Sequence, residues 1–154
     1  MKTISLWQPW ASLIATGAKK IETRSWPTRY RGTLAIHAAK TDNQELRTLM
    51  SCWHMQTGLA PLKGQKNTMP EYIWSGVQWE DLPRGCVIAT CRLVSCVPTD
   101  NMTQKQIEIE RHFGDYTPGR YAWILEDVQP LTEPVPAKGM QGLWEWKEGD
   151  GLKC

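Results

Sequence analysis

The chain has 154 residues, the size of about one domain. Hydrophobic residues make up 41% and charged residues 22%, which excludes a disordered chain. Eighteen Lys and Arg against sixteen Asp and Glu leave +2, too little for a whole surface that grips nucleic acid, so any basic site is local. No apolar run approaches the roughly 20 residues of a membrane span, and the first ten residues lack the pattern of a signal peptide. Five cysteines, an odd number without a secretory signal, read as reduced thiols in a cytoplasmic protein.

Thr3 to Leu6 alternates as an opening strand, and Gln8-Pro9 starts a short helix, since proline costs nothing in a first helical turn. Trp10, Leu13 and Ile14 fall on one helical face, and Gly17 is placed to stop the helix in the left-handed conformation. Lys19 to Trp26 is extended and ends at Pro27. A strand follows over Thr33–Ala39, with Leu34, Ile36 and Ala38 on one face and Ala35, His37 and Ala39 on the other. Thr41 and Gln44 have capping-box spacing for a helix of about 14 residues. Its apolar face is Leu46, Leu49, Met50 and Trp53.

From Gly58 the pattern lapses, and residues 58–83 read as a long insertion with little regular structure. The clearest strand is Gly85 to Val97, with Val87, Ala89, Cys91 and Leu93 on one face. Thr103 and Gln106 make a second capping box for a helix running to about Phe113. A turn on Pro118-Gly119 precedes a strand over Tyr121–Val128, and a short strand within Gly142–Lys147 carries Trp144 and Trp146 as core or lid. About five strands with two or three helices, and no βαβ alternation, predict a small barrel-like α+β domain occupying residues 1–154.

Charge is concentrated in Lys19–Arg31, where five basic residues face one acid, Glu22, a net +4 that leaves −2 for the rest of the chain. Trp26 and Tyr30 are interleaved with these cations, and Trp7 and Trp10 precede them. Cations along a backbone with aromatic platforms between them suit single-stranded or flipped-base nucleic acid. A solvated strand edge guarded by lysines has the same composition. On a regular strand Glu22 and Arg24 share a side while Thr23 faces the other. Lys19 joins the pair only if it lies in the turn after Gly17. A carboxylate beside two cations is then a poised acceptor or a base for a water, although an exposed ion pair reads identically in sequence.

Gly17-Ala18-Lys19-Lys20-Ile21-Glu22-Thr23-Arg24 resembles the G-x-K-x-x-E-x-R signature of the ASCH domain, a branch of the PUA-like superfamily. The lead-in Ser5-Leu6-Trp7-Gln8-Pro9-Trp10-Ala11 looks like the S-x-x-Q-P-[WY]-A opening of stand-alone ASCH proteins from bacteria and phages. Leu34–Ala39, Gly85–Ala89 and Trp123–Pro130 resemble later strands of the family in order. The resemblance implies a PUA-like pseudo-barrel of five or six strands flanked by two or three helices, with a cleft where the signature meets the barrel. It also implies association with RNA or modified nucleosides. One bacterial branch hydrolyses the amide of N4-acetylcytidine with a Lys, a Thr and a more distant Glu. The Lys falls on Lys19, the Thr falls on Glu22 so that its hydroxyl is absent, and Glu108, Glu110 and Asp115 all leave the distant acid unplaced.

Together these readings predict an RNA or modified-nucleoside partner in a basic, aromatic-lined cleft formed by Trp7, Pro9, Trp10, Lys19, Glu22, Arg24, Trp26 and His37. In the alternative of a hydrolase acting on an N4-acylated cytidine or on RNA, Glu22 activates a water and Lys19 stabilises an oxyanion. In a third reading the signature only braces a protein-interaction domain. No cofactor and no metal are expected. Cys52 and His54 are two ligands short of a closed zinc site, and Cys86 and Cys96 are about 33 Å apart along one strand.

Overall fold

A computed structural model describes residues 1–66 and 74–147. Six strands form one mixed, curled sheet: β1 (Lys2–Leu6), β2 (Ile21–Arg24), β3 (Gly32–Ala38), β4 (Cys86–Pro98), β5 (Tyr121–Pro136) and β6 (Leu143–Glu145). Their order is β2-β5-β4-β3-β1-β6. β1 and β3 are parallel, and every other neighbouring pair is antiparallel. Helices α1 (Trp10–Ala15), α2 (Gln44–Thr48), α3 (Trp53–Leu59) and α4 (Gln104–Glu110) complete the half-barrel.

The curl originates in the long central strands. β4 and β5 shift register between Val87 and Ala89, Thr90 and Arg92, and Leu93 and Ser95. Each extra residue bends the strand and increases its twist, which rolls a flat sheet towards a barrel. The first bulge also corrects the expected face of β4. Val87 packs with Ala35, Ala137, Trp144 and Trp146 on the outer side, whereas Ile88, Ala89, Cys91 and Leu93 join the inner core. On β3, which the alternation describes correctly, Leu34, Ile36 and Ala38 face inward and Ala35 outward. β5 runs past the expected end at Val128 to Pro136. It pairs with β2 only through Tyr121–Ile124, so Pro130, Pro134 and Pro136 lie where no strand on that side requires an N–H.

The expected helix over residues 41–54 is broken. Asn43, not Thr41, caps it, its Oδ1 accepting from Leu46 N at 2.9 Å. A tight turn at 49–51 and an extended Cys52 then separate α2 from α3. Leu46 and Met50 remain buried, but Trp53, beyond the break, is 51% exposed. Residues 67–73 of the expected 58–83 insertion lie outside the described residues, and the described parts on either side are more ordered than their composition indicates. α3 ends in the first part, and Val77, Trp79 and Leu82 close a second core with Leu13, Leu59 and Phe113. Gln56 holds the returning chain, donating to Met50 O and Val77 O while accepting from Ser75 Oγ. Thr103 and Gln106 form the expected capping box of α4, and Trp144 and Trp146 are buried.

Candidate functional site

The site begins where α1 stops. Gly17, at φ +79°, reverses the chain, and Lys19 N then donates to Leu13 O at 3.0 Å. This turn points the Lys19 side chain inward before the pleat of β2 begins. Lys19 Nζ donates to the carbonyls of Ile21 and Phe113 and lies 3.3 Å from Glu22 Oε2. The ammonium thus has two carbonyl acceptors and one carboxylate counter-charge, and the side chain is 1% exposed.

Glu22 Oε1 lies 3.2 Å from Arg24 Nε, and Arg24 Nη2 donates to Ser5 O on β1 at 3.0 Å. The ammonium, carboxylate and guanidinium thus form one linked chain. A second carboxylate locks its backbone. Glu110, in the last turn of α4, accepts from Lys20 N and Ile21 N at 2.6 and 2.9 Å. Burial pushes the Glu110 carboxyl above its ordinary range, against the opposing pull of these N–H groups and of Lys19.

Above Glu22 and Arg24 opens a cavity of about 500 Å³. Trp7, half exposed, and Trp10 line it together with Leu49, Met55 and Phe113. His112, Asp115 and Arg120 supply its polar rim. Arg120 is fixed by donating to the carbonyls of Asp115 and Thr23, and it pairs with the Asp115 carboxylate at 3.4 Å. Thr23 also borders the cavity, but its hydroxyl accepts from Asp115 N at 3.1 Å. His112 stacks on His54, the ring centroids 3.4 Å apart, and burial followed by repulsion from His54 and Arg111 lowers its proton affinity.

Trp7, Trp10, Glu22 and Arg24 therefore meet around one hollow, with Lys19 beneath its floor and outside the lining. The other expected members lie elsewhere. Trp26 packs edge-on against the buried Trp123, the ring centroids 4.8 Å apart, and Pro9 is buried at the start of α1. His37 borders a second cavity on the far side of β1. Of the basic segment only Arg24 lines the first cavity, and with Arg120 it faces Glu22 and Asp115. The hollow is charge-balanced where composition predicts a basic one.

His112 and Arg120 escape a reading of the sequence because no local pattern marks them, and Asp115, one of the three acids the resemblance left open, is brought to the hollow only by the fold. They arrive through the β2–β5 pairing and the loop before β5, about ninety residues from Glu22. Among the described residues no three His, Cys, Asp or Glu side chains gather as a metal site, and no helix is long and apolar enough to cross a membrane.

A curled α+β pseudo-barrel defines a class, and the comparisons with known proteins agree on that fold. The ASCH domain profile matches residues 4–135, and the chain belongs to the ASCH domain family. It is 27% identical to human activating signal cointegrator 1 over 144 residues and 29% identical to the mouse protein over 147. Each alignment covers 92% of this chain but only 22% of the relative, so the chain spans about a fifth of the length of these curated proteins. The crystal structure of ASCH from Zymomonas mobilis superposes with a TM-score of 0.50 at 17% identity, covering 97% of this chain and 89% of that one. A point mutant of the same protein superposes equally well, with 91% of its chain covered. These structures share the fold.

Proposed function

We propose that the cavity binds a base of RNA or a modified nucleoside, stacked against Trp7 and Trp10, with the Glu22 carboxylate accepting from its polar edge. The observation that carries this reading is the placement of Glu22, 13% exposed between Lys19 and Arg24, on the floor of a hollow walled by indoles. Two cations flank the acceptor and hold it in place, and aromatic faces supply stacking that tolerates different bases. The ASCH family is RNA-associated, which supports the ligand class.

A charge-balanced lining fits a base better than a phosphate, because a base presents donors and acceptors but no net charge. Binding is favoured over turnover for a specific reason. Lys19 donates to Ile21 O and Phe113 O, pairs with Glu22 and lies 1% exposed outside the cavity lining, which makes it a positioning group for Glu22 and keeps it away from an oxyanion in the hollow.

Calorimetric titration of cytidine, N4-acetylcytidine and short single-stranded RNA tests the proposal. Wild type binds at least one of them, and Glu22→Gln, whose retained fold is checked by circular dichroism below its own, lower melting temperature, weakens that binding by about tenfold or more, the scale of a charge-assisted hydrogen bond. Equal affinity in both proteins overturns the reading. Release of acetate from N4-acetylcytidine by wild type but not by Glu22→Gln replaces binding with hydrolysis as the function.

A further inference from the structure

The second cavity, of about 540 Å³, lies at the carboxyl ends of the parallel strands β1 and β3, and the proposed base site does not use it. Much of its lining is apolar, from Ala39, Ala137 and Met140, over a buried hydrogen-bonded chain. His37, 1% exposed, donates from Nε2 to Ala137 O, since a carbonyl can only accept. Its Nδ1 is then the acceptor for the Ser5 hydroxyl, and Ser5 Oγ in turn accepts from Trp144 Nε1. Gly139 closes over the ring so tightly that a Cβ there would lie 2.5 Å from His37 Cε1. The exposed side chains of Lys40 and Lys138 also line the cavity, and among its described lining residues there is no carboxylate.

Ser5 belongs to both hollows. Its carbonyl accepts from Arg24 in the first, and its hydroxyl is bonded to His37 in the second. One strand residue therefore separates a charge-balanced, aromatic pocket from a pocket whose charged lining groups, among the described residues, are ammoniums. Their division of chemistry matches that of a nucleotide chain, in which bases are neutral and planar and the backbone is anionic.

We infer that the cavity bordered by Lys40 and Lys138 is a phosphate subsite for a single RNA strand whose base occupies the neighbouring Trp7–Glu22 cavity, an inference that rests on the proposed base site. The lysines contact the backbone of the nucleotide next to the bound base, and the His37–Ser5–Trp144 chain fixes the wall between the two positions. This subsite supplies the electrostatic affinity that the charge-balanced base pocket lacks.

The test compares wild type with Lys40→Gln/Lys138→Gln, using cytidine as a probe without phosphate and a ten-nucleotide oligocytidylate as a probe with it. Glutamine keeps most of the aliphatic stem of Lys40, which packs on Gly85, so the fold is retained and melting temperatures check this. Each phosphate contact on a single strand contributes about 0.7 to the slope of log affinity against log salt. The double variant is expected to lower that slope by about 1.4 on the oligonucleotide, with about tenfold weaker binding near 0.15 M salt and unchanged affinity for cytidine. Lys105→Gln/Lys147→Gln, two exposed lysines outside both cavities, serves as the charge control. An unchanged slope, an equal loss in the control pair, or a parallel loss of cytidine binding overturns the subsite while leaving the base site standing. If wild type binds neither probe, the base site and the subsite fail together.

Discussion

The Lys19 ammonium lies 3.3 Å from the Glu22 carboxylate and is the deeper partner, with 1% of its side chain exposed against 13% for Glu22. A cation this deep is tolerable because it donates to backbone carbonyls on two different segments and faces a carboxylate. Lys19→Met keeps the volume but leaves Ile21 O and Phe113 O without their donor and Glu22 with Arg24 alone. Removing one partner of a buried pair costs about 3–5 kcal/mol, and the lower end applies because Glu22 keeps Arg24 and some solvent. Urea unfolding measures it. A loss under 1 kcal/mol would show that Lys19 does not brace the site.

Trp7 makes the opposite case. It is 52% exposed at the mouth of the cavity, so little of its indole supports the fold. Trp7→Ala is expected to change stability by no more than about 0.5 kcal/mol, as for ordinary surface positions. It weakens ligand binding by about 1–3 kcal/mol, the value of one base–aromatic stack. Thermal melting and titration calorimetry on the same preparations separate the two effects, and unchanged affinity would remove Trp7 from the site.

Gly58 is needed for packing. It lies within α3, and a Cβ there would come 2.5 Å from Leu13 Cδ2 and 3.1 Å from Ala18 Cβ. Gly58→Ala adds helix propensity of about 1 kcal/mol, which alone would stabilise. The overlap lies inside the second core, where Leu13 is fully buried and cannot swing aside, and overpacking costs about 1–3 kcal/mol. A net decrease in melting temperature is expected, and an increase would mean that Leu13 has room to move.

His37 gives the fold a dependence on pH. Burial holds its imidazole below the ordinary value near 6.5, with the Ala137 carbonyl pulling weakly the other way. The unfolded chain therefore takes up a proton at a higher pH than the folded one. Stability is complete above about pH 6.5 and falls as pH drops from there through the lowered folded value. In melting curves between pH 8 and pH 5, wild type loses more than His37→Gln does. Parallel curves for the two proteins would show that the ring takes up its proton at the same pH in the folded and the unfolded chain.

Period-two alternation on β3, the Thr103–Gln106 capping box and the left-handed turn at Gly17 were all legible in the sequence, because each depends on neighbours within about four residues. The failures have local causes that only packing reveals. A bulge at Ile88 reverses part of the face of β4, and Cys52 breaks a helix whose apolar spacing runs through it. Trp26 carries the composition of a stacking platform, yet it is spent on Trp123, a neighbour nearly a hundred positions away.

By itself the sequence determined the α+β class, the ASCH signature and the alignment of Glu22 with Arg24, since two residues on one pleat share a side whatever surrounds them. Only the tertiary structure decided that Lys19 is a buried brace, that His37 belongs to a second hollow, and that Asp115 and Arg120 complete the first. Alternation assigns a side chain to one of two faces but carries no information about what covers that face. The depth of a charge and the partners it meets are fixed by which distant segments close over it, here α4 and the start of β5.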